Sequence, residues 1–338
     1  MDHSQRKAYI DITKGIGILL VLVGHAITQA NVLVPWESTF FMPMFFICSG
    51  LCYSKPKKIG SHAGTLLIPY YIWGGIGLVI QICLLLMRGR ADLETLVQGV
   101  AGILMGTRMW NYPLWFLVAF FICKCVFDGI ITVSQERKSE TLIQCLAALV
   151  CYLVGLSMAY FRRKYHFIYP FRLDVGLTMV PFVLIGYDSR ELADELEETG
   201  IVKRLLLVCA LLAVNLVSLQ MNTPIQVDNS NYGNPVIFLV GAVSGSYFVI
   251  FLSQFLCKIP TLEKPLSWLG RNSLTIMCSH AIVLVIVAKL LLIVNRFVGL
   301  SAETVDLAKF VCCTAAMVPL CSRLYTEKRN LLNSANGM

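Results

Sequence analysis

The sequence predicts an all-α membrane protein: a polytopic helical bundle of about ten transmembrane helices, with both termini cytoplasmic. Composition is the first reason. Of 338 residues, 57% are hydrophobic and 14% charged, with a mean hydropathy of +0.71. A soluble domain carries closer to a quarter charged residues. This chain has too few charges to build a water-facing surface, so most of it must meet lipid or other helices. The second reason is that apolar runs of about 20 residues, the length that crosses a bilayer, recur along the chain. The third is that Lys and Arg gather at alternate ends of those runs, as the positive-inside bias requires.

The expected spans run approximately 11–31, 38–54, 65–87, 113–133, 141–160, 174–188, 204–220, 235–257, 273–294 and 305–322. Asp11 and Lys14 interrupt the start of the first run and many spans follow, so it reads as an uncleaved helix rather than a signal peptide. The second and sixth spans are short and contain Pro43 and Pro181. A tilt or break is expected there, tolerated where neighbours or a cavity satisfy the freed backbone. With the N-terminus inside, the cytoplasmic segments collect Arg6, Lys7 and Lys14, then Lys55, Lys57 and Lys58, and later Lys258, Lys264 and Arg271. Arg162, Arg163 and Lys164 fall outside, against the bias. Two outer segments are long: 88–112, expected to include a re-entrant or interfacial helix, and 221–234, rich in Asn and turn formers. The acidic stretch 188–198 reads as a solvated cytoplasmic helix or linker. Residues 1–330 make a single transmembrane domain and 331–338 a short cytoplasmic tail.

Several function classes are excluded. The net charge of +8 is distributed by topology, with no basic stripe or nucleic-acid motif, so no nucleic-acid partner is expected. Of thirteen cysteines, nearly all lie inside apolar runs, where Cys acts as a small hydrophobe. Cys123 and Cys125 point to different sides of a helix and make a poor metal pair. No metal site is expected, and oligomeric state is unreadable because lipid-facing and partner-facing surfaces look alike.

The first helix carries the chemistry. Lys14 and His25 are eleven residues apart, about three turns and roughly 16 Å of helix, and share nearly one face. Asp11, three residues before Lys14, neighbours it on that face. Ionisable groups within a span are costly and mark pathways or active sites, and histidine can take and return a proton near neutrality. The plainer alternatives are a helix–helix hydrogen bond for His25 and a snorkelling anchor for Lys14.

Asp11, Lys14, Gly15, Gly24 and His25 together resemble the opening helix of the acyltransferase-3 family, membrane O-acyltransferases with a basic residue, ten residues, then His. Met42-Pro43 through Ser49-Gly50 is similar to the family's second helix, except that Phe41 stands where His is usual. Further similarities lie at Leu114-Trp115-Phe116-Leu117, at Asp174, Pro181 and Gly186, and at Gly270-Arg271-Asn272 through His280. The detail is most similar to the branch of fucose 4-O-acetylases.

The resemblance implies transfer of an acetyl group from cytoplasmic acetyl-CoA, a donor substrate, to a sugar hydroxyl of a surface glycan or lipid-linked precursor. It also implies residence in a bacterial cytoplasmic membrane. His25 would be general base or transient acyl carrier, with Asp11 tuning the site and His280 a second candidate. Lys14, Lys55, Lys57, Lys58 and Arg271 would meet the donor phosphates, although topology alone also accounts for the 55–58 cluster. Trp115 offers a sugar-stacking face or a membrane anchor. Arg172 and Asp174, with the outer basic residues, would contact an acidic or phosphate-bearing acceptor. The rival readings are a proton-coupled transporter, which predicts internal symmetry that the sequence lacks, and a scaffold, which gives no reason for Lys14 and His25 to share a face.

Overall fold

The computed structural model describes residues 7–27, 33–90, 92–107, 111–222 and 224–336, without the side chains of 197–198 and those after 324. Among the described residues its regular structure is all helix, with one isolated antiparallel bridge between Gln226 and Asn231.

The chain opens with α1 (Ala8–Ala26), then α2 (Leu33–Ser38) and α3 (Phe41–Leu51). Next, α4 (Ile59–His62) passes through a π turn at Ala63–Leu67 into α5 (Ile68–Met87). After α6 (Leu93–Met105) come α7 (Trp115–Ser134), α8 (Glu140–Tyr165), α9 (Leu173–Thr178), α10 (Val180–Asp188) and α11 (Arg190–Glu198). The last five are α12 (Ile201–Met221), α13 (Pro235–Leu256), α14 (Pro260–Arg271), α15 (Ser273–Val298) and α16 (Ala302–Asn336).

Among the described residues eight helices are long and apolar enough to cross a membrane, and α9 with α10, bent by 44° ahead of Pro181, makes a ninth broken span. The expected tenth, residues 38–54, is instead the 11-residue α3, about 16 Å long and too short for a hydrocarbon core of about 30 Å. Hydropathy counted its apolar residues correctly but not their surroundings: most of α3 is buried in protein rather than facing lipid. The segment 88–112, expected to face outward, holds a helix, α6, started by the Asp92 side chain accepting from the Thr95 N–H and ended by Gly106 in the left-handed region at φ 67°.

The bundle is layered around α1 and α13. Their apolar windows are 56% buried, against 22–28% for α5, α8, α12, α15 and α16, whose exposed Ile, Leu and Val form the lipid-facing surface. The tightest packing joins α1 to α14. A Cβ on Gly270 would lie 1.7 Å from the Asp11 carbonyl oxygen, and one on Gly15 2.1 Å from that of Leu266. Only glycine permits backbones this close. The acidic stretch is a helix, α11, tied down by Lys7 pairing with Asp194 and by Gln254 donating to the Ala193 carbonyl at 2.8 Å.

Candidate active site

Fixing α1 against α14 brings Lys14 beside Arg271, where the α14–α15 junction faces the loop after α3. A cavity of about 400 Å³ opens there. Lys14, Lys55, Lys57, Lys124 and Arg271 line it with Cys52, and its apolar wall includes Phe116, Phe120 and Met277. Four of the five basic residues expected to meet phosphate thus share one cavity, whereas Lys58 is exposed and outside its wall. Lys124 was not among the expected site residues, although a lysine mid-span is a signal in itself. Its Nζ lies 4.8 Å from the centre of the Tyr53 ring.

The cavity also holds a pair that sequence reasoning missed. His62 Nε2 donates to Asp128 Oδ2 at 2.6 Å, and the Lys57 backbone N–H donates to the same oxygen at 2.8 Å. Both side chains are buried, and the π turn begins directly after His62. Such turns recur where a helix is distorted for function. Asp128 was visible four residues beyond Lys124, on the same face of α7. His62, 66 residues from its partner, was not.

Higher on α1, the His25 ring packs against His280 of α15, with centroids 5.2 Å apart and planes tilted by 42°. His280 is fully buried, and its Nδ1 donates to the carbonyls of Ile276 at 2.9 Å and Met277 at 3.0 Å. The proton is therefore held on Nδ1, leaving a lone pair on Nε2, which has no hydrogen-bond partner among the described residues. Met277 links the two parts of the site: it lines the basic cavity and its carbonyl helps fix the His280 tautomer. The His25 ring keeps an accessible edge but is not part of the cavity wall. Asp11 is buried where α1 meets α14, outside the cavity wall and roughly 21 Å along the helix from His25. Beside the end of α1 lies another unforeseen group, Glu37, 2% exposed.

Trp115, Arg172 and Asp174, the residues expected to meet the acceptor, lie together. The Arg172 guanidinium covers the Trp115 ring at 5.2 Å, and Trp115 is buried, so that face is already occupied. Asp174 sits between two guanidiniums, Arg162 at 3.5 Å and Arg172 at 3.6 Å, and accepts from Ser230 Oγ. Both arginines also donate to the Asp228 carbonyl, and the Tyr112 hydroxyl donates to the Asp228 carboxylate. Burial pushes that carboxyl up from its ordinary range. Arg162 and Arg172 thus turn inward and clamp the 224–234 loop.

No curated protein and no solved structure matches the chain. A family model described as an acyltransferase domain matches residues 7–326, nearly the whole chain. With its polytopic helical fold, the protein therefore belongs to the acyltransferase-3 family of membrane acyltransferases.

Proposed function

We propose that this acyltransferase moves an acetyl group from cytoplasmic acetyl-CoA to a sugar hydroxyl of a surface glycan or its lipid-linked precursor, in a bacterial cytoplasmic membrane. The observation that carries the reading is that one helix, α1, gives Lys14 to the basic cavity and His25 to the imidazole pair, roughly three turns apart. Lys14, Lys55, Lys57, Lys124 and Arg271 suit the donor's phosphates, where charge-assisted hydrogen bonds are strongest. The donor's extended pantetheine arm would then pass Met277 toward His25.

His25 acts as general base. It takes the proton of the acceptor hydroxyl as that oxygen attacks the thioester carbonyl, and CoA leaves as its thiolate, to be protonated in turn. His280, with its tautomer locked, orients the His25 ring. Direct transfer is favoured over an acetyl-imidazole intermediate because it needs only one acyl-transfer step.

The test uses the purified protein in nanodiscs with labelled acetyl-CoA. Acceptors are methyl glycosides of glucose, galactose, fucose and N-acetylglucosamine, and polyprenyl-diphosphate-linked N-acetylglucosamine. Label should pass to at least one sugar, and His25→Ala should lower the rate by about 10²–10⁴-fold, the range for loss of a general base. Transfer undiminished in that variant would remove His25 from the chemistry.

A further inference from the structure

Glu37 is a buried titratable group that the transfer step above leaves unused. It lies on α2, between α1 and α3, and its Oε2 has no hydrogen-bond partner among the described residues. An unpartnered buried oxygen is costly, and one retained in a native protein calls for something that meets it. The carboxyl rests on the end of α1, where a Cβ built on Gly24 would stand 2.4 Å from Glu37 Oε1. Gly24 immediately precedes His25. The missing side chain at position 24 is what admits an acid against the end of α1, one residue before His25.

The chemistry of the group narrows its ligand. Burial pushes the Glu37 carboxyl up to about 8, so near neutrality it is mostly protonated. A protonated carboxyl donates one hydrogen bond and accepts others, which matches a hydroxyl-bearing ligand and disfavours an anion or a cation. We propose that Glu37 is an acceptor-binding residue, its free Oε2 taking a sugar hydroxyl next to the one that His25 activates. This assignment rests on the transfer reading above.

The experiment measures how acetyl groups divide between sugar and water, and the KM of each substrate, with acetyl-CoA and the methyl glycosides named above. Glu37→Ala should raise the acceptor KM and lower the sugar-to-water ratio by roughly tenfold, as expected for one lost hydrogen bond. The donor KM should move less than twofold. Glu37→Gln, which keeps a donor and an acceptor, should stay within about threefold of wild type. Gly24→Ala, which pushes the carboxyl away without removing it, should repeat the acceptor-specific loss and keeps the test decisive if Glu37→Ala does not fold. An unchanged ratio in both disruptive variants, or donor and acceptor constants rising together, would overturn the assignment of Glu37 alone. Wild-type protein that hydrolyses acetyl-CoA but acetylates no sugar would overturn the acceptor subsite. Wild-type protein that consumes no acetyl-CoA would instead remove the transfer reading.

Discussion

Lys14 and His25 are related by helical period alone, since eleven residues at 100° each return the chain to nearly the same face. That relation needs no tertiary contact, which is why it was legible in the sequence. Glu37 has no such regularity. It precedes an apolar run and reads as a boundary acid until the fold lays it on Gly24. Its burial has a thermodynamic signature. A carboxyl pushed up to about 8 keeps its proton in the folded state over a pH range where the unfolded chain has lost it. Stability therefore falls as pH rises from the ordinary carboxyl range toward 8, then levels off. Glu37→Gln removes this dependence, so the melting temperature of that variant relative to wild type should climb between about pH 5 and pH 8. A gap that is flat with pH would mean the carboxyl titrates normally and is not buried as described. His280 was legible as a polar residue in a span, but its fixed tautomer follows from two backbone carbonyls that no spacing rule reveals.

Among the elements, the outer loop shows how far sequence reasoning reached. Its turn-forming composition was plain, and residues 224–234 are indeed non-helical apart from a single 3-10 turn at Val227–Asn229. What holds it was not plain, because Arg162, Arg172 and Asp174 are 50 or more residues from Asp228 and Ser230. Asp174→Ala would leave two buried guanidiniums facing each other without their carboxylate. Loss of one partner from a buried ionic network costs about 3–5 kcal/mol, and here the strain falls on the loop. The variant should melt at a lower temperature and be cleaved between residues 224 and 234 by protease added to the outer face. Unchanged cleavage would show that the loop is held by other contacts. The helix α3 teaches a related lesson. Hydropathy detects apolar length, and a short helix buried on most sides by protein carries the same signal as one in lipid.

For the whole molecule, class and helical content followed from composition and run length, while the cavity did not. It needs α1, α3, α7 and α15 brought together by crossings that depend on close glycine contacts, such as those at Gly15, Gly50 and Gly270, whose partners no spacing rule reveals. The orientation deduced from basic residues makes the cavity cytoplasmic, and Cys52 gives a handle on it, being exposed and part of its wall. A membrane-impermeant maleimide should label Cys52 in inside-out vesicles and not in right-side-out ones, with Cys52→Ser identifying the labelled site. Free CoA should slow the labelling in proportion to its occupancy. Labelling from the outer face would reverse the topology, and indifference to CoA would separate the cavity from the donor. The union of α1 with α14 has a last consequence. A rod whose cation and imidazole are both carved into one helix, and whose foot is clamped by glycine-to-backbone contact, behaves as a gauge of fixed length. Inserting one residue between its two marks would swing the imidazole by about 100° and lift it by about 1.5 Å, so the reach demanded of the donor is written into the spacing of the helix itself.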